Sequence, residues 1–132
     1  VDAEEYVRRA DPWPLNPEGE LLLGIKVESA RGVHTIEQML SVPGIGFAEL
    51  GPGDLHMSYR IRRPEGPYTD PRVIEARERV RAACDANGVR FLESATPETV
   101  GQAIDEGVRV IAGRSEDTAR AGWEYTGRTM PV

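Results

Sequence analysis

Four short apolar runs begin near residues 21, 45, 89 and 108 and alternate with segments of helical periodicity. This alternation constrains the fold more than any other feature of the chain. Leu21 to Val27 is nearly continuous and apolar, the pattern of a strand covered on both faces. The helix after it reads from Thr35 as N-cap, with Gln38 at the capping-box spacing and Ile36, Met39 and Leu40 facing inward, to Val42-Pro43-Gly44. Ile45 to Leu50 forms the second strand and feeds directly into Gly51-Pro52-Gly53-Asp54-Leu55, after which His56 to Thr69 is the least regular stretch. Asp70 then caps a helix with Pro71 in its first turn. Val73, Ala76, Val80, Ala83 and Cys84 supply its buried side, and Gly88 ends it. Val89 to Leu92 is the third strand, Thr96-Pro97 opens a helix with Val100, Ala103 and Ile104 inward, and Gly107 closes that helix. Val108 to Ala112 is the fourth strand, followed by a helix from about Glu116 to Tyr125.

Strands alternating with helices predict right-handed βαβ units and a parallel sheet, an α/β fold. The expected organisation is one domain over residues 1–132. Upstream, Asp2 to Arg9 reads as a helix, and Asp11-Pro12-Trp13-Pro14-Leu15-Asn16-Pro17-Glu18-Gly19 as a proline-rich connector. The chain opens at Val1 inside that helix, which suggests a fragment or a processed chain.

A hydrophobic content of 39% supports a core, and a net charge of −6 argues against a nucleic-acid partner. The basic cluster Arg60, Arg62, Arg63, beside Pro64 and Gly66, reads as a solvated loop, with an anionic-substrate or subunit contact as the alternative. One cysteine, Cys84, excludes an internal disulfide and reads as a buried structural thiol. No apolar run reaches the roughly 18 residues needed to span a bilayer. With no visible signal peptide, the expected location is cytoplasmic and no membrane partner is expected.

Active sites in parallel α/β folds lie at the carboxyl ends of the strands. The candidates are therefore Glu28-Ser29, Gly51 to Asp54, Glu93-Ser94 and Arg114-Ser115. Glu28 and Asp54 follow consecutive strands, which usually neighbour one another, so two carboxylates can converge on one hard divalent cation. The same placement also suits a helix cap or a loop residue. The amides of Gly53 and Asp54 are candidate donors to a substrate carboxylate.

The residues around these positions carry a more specific signal. Lys26-Val27-Glu28-Ser29, Val42-Pro43-Gly44-Ile45-Gly46 and Gly51-Pro52-Gly53-Asp54-Leu55-His56-Met57-Ser58 resemble, in order, the motifs of the HpcH/HpaI aldolase and citrate lyase family. Trp13 to Gly19 and Tyr125-Thr126-Gly127-Arg128-Thr129-Met130-Pro131 extend the resemblance over essentially the whole chain. It implies the C-terminal half of a TIM-type β/α barrel, whose eight strands are represented here by the last four. It implies a divalent ion (Mg²⁺, Mn²⁺ or Co²⁺) held by Glu28 and Asp54. Gly53 and Asp54 would bind a 2-keto acid substrate. The implied enzyme is a class II carbon–carbon lyase that cleaves or forms 2-keto-4-hydroxy acids through a metal-stabilised pyruvate enolate, in a homo-oligomer. Its general base is expected outside this chain.

Three departures accompany the resemblance. Four strands alone expose two sheet edges. Lys26 stands where the family has Gln, as a contact to an anionic substrate or as an ion pair with Glu28 or Glu49, an unexpected acid in its strand. Tyr59-Arg60 replaces the family's Gly after the Gly51–Ser58 motif. Other candidates are weaker: His56 as a pocket-lining, surface or supporting residue, His34 as structural, and Trp13 and Trp123 as packing anchors. Two alternatives to the aldolase stand: a citryl- or malyl-CoA-type lyase, and a non-catalytic half-barrel acting as a binding or assembly module.

Overall fold

The computed structural model describes residues 2–62, 66–113 and 115–128. Arg63, Pro64, Arg114 and Thr129-Met130-Pro131, named above, lie outside the described residues. Helix α1 (Ala3–Arg9) starts where the Asp2 carboxylate accepts the Glu5 amide. Its far end is tied by the bidentate Arg9–Glu20 pair at 2.7 and 3.0 Å. A two-stranded parallel ribbon, β1 (Pro12–Trp13) and β2 (Leu21–Leu22), follows.

The main sheet is parallel, in sequential order: β3 (Gly24–Val27), β4 (Phe47–Leu50), β5 (Arg90–Ala95) and β6 (Val110–Gly113). Between β3 and β4 run α2 (Ala30–His34) and α3 (Ile36–Leu40), and after β4 come α4 (Pro52–Ser58) and α5 (Pro71–Asn87). Helix α6 (Val100–Asp105) links β5 to β6, and α7 (Glu116–Thr126) follows β6. Alternating strands and helices on a parallel sheet make this an α/β fold, as the periodicity predicts.

Helices cover one face of the sheet. Val27, Ala48, Leu50 and Phe91 point into a core shared with Val33, Ile36, Leu40, Leu55, Val73, Ala76, Val80, Ala83 and Cys84. The predicted buried stripe of α5 is therefore buried as expected, and burial pushes the Cys84 thiol up to about 12. The other face runs through Lys26, Glu49, Leu92 and Val110, neighbours in register across the four strands. Lys26 is exposed there and the other three are half-buried.

This corrects the expectation of a first strand covered on both faces. Leu21, Leu22 and Leu23 are about half exposed, because the first two pair with the ribbon and only Gly24 to Val27 enters the main sheet. Helix α2 begins earlier than the capping pattern suggests, with the Ser29 hydroxyl accepting the Gly32 amide. Thr35 is not a side-chain cap: its hydroxyl donates back to the Arg31 carbonyl, and the residue joins α2 to α3. Trp13 is 44% exposed rather than a packing anchor. His34 is exposed at the end of α2, its carbonyl accepting from Arg79.

Four helices end alike. After α5, α6 and α7 the chain turns through Gly88, Gly107 and Gly127 in left-handed conformation. After α4 that place is taken by Arg60, with φ 55°. Its amide bonds the Met57 carbonyl and the Ile61 amide bonds the His56 carbonyl, the paired closure of a Schellman cap. Arg60, one of the two residues expected to replace a glycine, thus holds a conformation that favours glycine. A Cβ in this region costs about 1–2 kcal/mol, part of which glycine returns as unfolded-state entropy. Arg60→Gly is expected to raise the unfolding free energy by about 1 kcal/mol in urea denaturation; no gain would show that the cap carries no strain.

Candidate functional site

The β3–β4 register sets Val27 beside Leu50, and the ladder runs one bond further, from the Gly51 amide to the Val27 carbonyl at 2.9 Å. Glu28, the next residue on β3's side, therefore lies across Gly51. A Cβ built on Gly51 would stand 2.5 Å from both Cγ and Oε1 of Glu28. Gly51 is the cradle of the Glu28 side chain, and its φ of −92° shows that glycine is required here by space rather than by backbone conformation.

Pro52 occupies the first turn of α4, so Gly53 and Asp54 are first-turn residues whose amides have no intrahelical acceptor. Asp54 thus stands in the first turn of a short helix, which takes in the start of the stretch read as least regular, and its side chain is exposed. At the other end of α4, the Ser58 hydroxyl accepts the Ala30 amide at 2.9 Å. This bond pins the segment after Glu28 to the helix that carries Asp54. Ser58 stood in the sequence motif without a role, because only the fold brings it to Ala30.

Lys26 forms its ion pair with Glu28, Nζ to Oε1 3.2 Å. Glu49 is its direct register neighbour. The hydrogen bond the ammonium donates to Glu28, then the charges of Glu49 and Glu28, hold Lys26 above its usual range, with Asp54 adding a smaller effect. Of the two ion-pair partners considered for Lys26, Glu28 makes the contact and Glu49 acts through charge.

The other candidates separate from this cluster. His56 is not at the surface: it is 1% exposed, its Nδ1 bonded to the Pro52 carbonyl and its Nε2 without a partner among the described residues. Glu93 lies inside β5 rather than after it, and pairs with Arg77 of α5 at 2.7 Å. Arg77 also holds Glu106 and stacks over Tyr68. Burial and the neighbouring Glu93 carboxylate push the Tyr68 hydroxyl well above its usual range. This group braces the segment ahead of α5. Ser115 sits at the start of α7, close to Thr118.

A hollow of about 870 Å³ lies elsewhere: along β6 under α7, lined by Val100, Ile104, Ile111, Thr118 and Trp123 among others. Strand β6 is the opposite edge of the sheet from β3. The hollow is therefore set apart from the β3–β4 end, where the polar groups converge. No group of three or more His, Cys, Asp or Glu gathers for a metal among the described residues. No described helix is long and apolar enough to cross a membrane.

Comparison with known proteins gives the following. The family described as HpcH/HpaI aldolase/citrate lyase matches residues 2–117. The 2-dehydro-3,6-dideoxy-6-sulfogluconate aldolase of Pseudomonas putida is 30% identical over 94 residues, 70% of this chain and 35% of that protein. A solved HpcH/HpaI aldolase/citrate lyase family protein from Burkholderia cenocepacia J2315 superposes with a TM-score of 0.64 at 26% identity, covering 93% of this chain and 45% of that one. A citrate lyase beta subunit from M. tuberculosis, solved with oxaloacetate and magnesium, gives 0.62 at 17% identity over 76% of this chain and 50% of its own. The chain thus spans about a third of the curated relative and about half of these two structures.

The cradle is open to test. Gly51→Ala is expected to fold with a loss of no more than about 1 kcal/mol in urea unfolding, because the flexible Glu28 side chain can turn aside, and to drive Glu28 away from Lys26. An intact Lys26–Glu28 pair in its crystal structure would contradict the close approach.

Proposed function

The chain belongs to the HpcH/HpaI aldolase/citrate lyase family, and from that premise we propose that it carries the metal-binding end of a carbon–carbon lyase acting on 2-keto-4-hydroxy acids. In this reading its four βα units form part of a β/α barrel, and the general base comes from outside the described strands. The observation that carries the reading is the approach of the Glu28 carboxylate to Gly51, at the head of the helix that bears Asp54.

Glu28 and Asp54 are the residues that would hold a divalent ion, Mg²⁺, Mn²⁺ or Co²⁺. Two features of the site suit that role. Two carboxylates are the small donor set with which Mg²⁺ keeps waters and substrate oxygens. A cation already stands against Glu28 in the form of the Lys26 ammonium, 3.2 Å away, so the cradle accommodates positive charge. When bound, the ion would supply Lewis-acid polarisation of the substrate's 2-keto group.

The protein groups do the rest. The first-turn amides of Gly53 and Asp54 point out of α4 without intrahelical acceptors and suit the carboxylate of a 2-keto acid. Gly53 leaves room for that approach, since nothing lies within 4 Å of a Cβ placed there. The Ser58–Ala30 bond keeps the Glu28 segment and α4 in one arrangement while the substrate exchanges.

Glu28→Gln and Asp54→Asn are each expected to weaken Mn²⁺ binding by at least about tenfold, since each removes one charged ligand. Titration calorimetry with Mn²⁺ measures the loss, and pyruvate release from a 2-keto-4-hydroxy acid measures the activity. Unchanged Mn²⁺ affinity in both variants would remove the metal site.

A further inference from the structure

We propose that Lys26 is a built-in competitor of the divalent ion: its ammonium occupies Glu28 when the metal is absent and must leave that carboxylate for the metal to bind. This inference rests on the metal-site reading above and adds a regulatory contact to it.

The chain contains 16 Lys and Arg residues, and Lys26 is its single lysine. It stands two residues before Glu28 and therefore on the same side of β3. Its Nζ is 3.2 Å from Glu28 Oε1, the oxygen that also lies against the Gly51 cradle. Mg²⁺ or Mn²⁺ would need to approach that carboxylate to about 2.1 Å. An ammonium and a divalent ion on one oxygen would stand only a few Å apart and repel one another. An ion on Oε1 therefore competes with the ammonium for that oxygen.

Residue type matters here. An arginine would grip the carboxylate with a planar, two-pronged fork, as Arg77 grips Glu93. Lysine offers a point charge on a flexible four-carbon stem and makes a single contact. The Lys26 side chain is also 52% exposed, so it has water to swing into. Once displaced it remains beside the site, tethered by β3, with Glu49 as its register neighbour. The freed ammonium is then available to the carboxylate of an anionic 2-keto acid. Metal first and anion second becomes the favoured order of binding.

The test is Mn²⁺ affinity in the full chain, read by calorimetry or by the electron spin resonance of free Mn²⁺. Lys26→Gln should bind Mn²⁺ about three- to tenfold more tightly than wild type, the size expected for removing one half-exposed ion pair and its repulsion. Lys26→Arg keeps the charge and should not show the gain. Arg120→Gln removes the same charge from distant α7 and should leave the affinity at the wild-type value. A second readout uses the lysine's uniqueness: reductive ¹³C-methylation labels one side-chain amine besides the N-terminus, and its resonance should shift as Mg²⁺ is added.

Equal or weaker Mn²⁺ affinity in Lys26→Gln, with wild type binding and Glu28→Gln not binding, overturns the competition while leaving the metal site standing. No Mn²⁺ binding in either wild type or Lys26→Gln overturns both. A gain equalled by Arg120→Gln reduces the effect to net charge and overturns the proposal.

Discussion

Everything at the candidate site depends on the pairing of β3 with β4. Val27 opposite Leu50, and the Gly51 amide on the Val27 carbonyl, decide which residue of one segment meets which residue of the next. A slip of β3 by one residue would turn Val27 out of the core and carry Glu28 off Gly51, because side chains alternate between faces. The buried face therefore enforces the geometry of the polar one. Val27 and Ala48 are 1% and 0% exposed, and Leu50 is 3%. Burial of such side chains, each worth about 1.5–3 kcal/mol for the larger ones, far exceeds what an exposed pair such as Lys26–Glu28 contributes.

A second constraint acts between α5 and β5. Arg77 and Glu93 form a nearly buried pair, only 13% and 12% exposed at their side chains, and Arg77 also reaches the more open Glu106. The two hydrogen bonds between them satisfy the desolvated charges, and loss of one partner would strand the other. Tyr68 stacks on this group and thereby ties the stretch before α5 to the sheet. Glu93, which sequence position made a candidate for the site, is occupied in this way by a structural task.

The order of the four main-sheet strands and the inward stripe of α5 were legible in the sequence, because both follow from periodicity. So were the glycine stops at Gly88 and Gly107, since each glycine sits where a helical stripe ends. The strand at Pro12–Trp13, read as a connector, and helix α4 were not. Less visible were features that depend on contacts distant in sequence. Ser29 outcompetes Thr35 as a cap because the chain turns immediately after β3, which no local pattern announces. The exposure of Leu21 to Leu23 reflects pairing with Pro12 and Trp13 in a separate ribbon, where an unbroken apolar run reads as one strand. At the site, residue type and spacing singled out Glu28, Asp54 and Lys26. The cradle at Gly51, the Ser58–Ala30 bond and the choice of Glu28 over Glu49 as Lys26's partner arise only once the fold brings those segments together.

The uncovered face of the sheet ties these observations together. Among the described residues, Lys26, Glu49, Leu92 and Val110 form a row across four strands with helices only behind them. Two charged residues at one end of that row and two apolar ones at the other divide the face. The charged end lies on β3 and β4, below Glu28 and the head of α4; the apolar end lies on β5 and β6. A lysine and a glutamate side by side on a sheet are tolerated where water reaches them, and Lys26 is the exposed member of the row. The same access that solvates Lys26 gives its ammonium somewhere to go when it leaves Glu28. Lys26 stands at the charged end of that row beside Glu28, so the polar end of the sheet and the cation at the carboxylate belong to one arrangement.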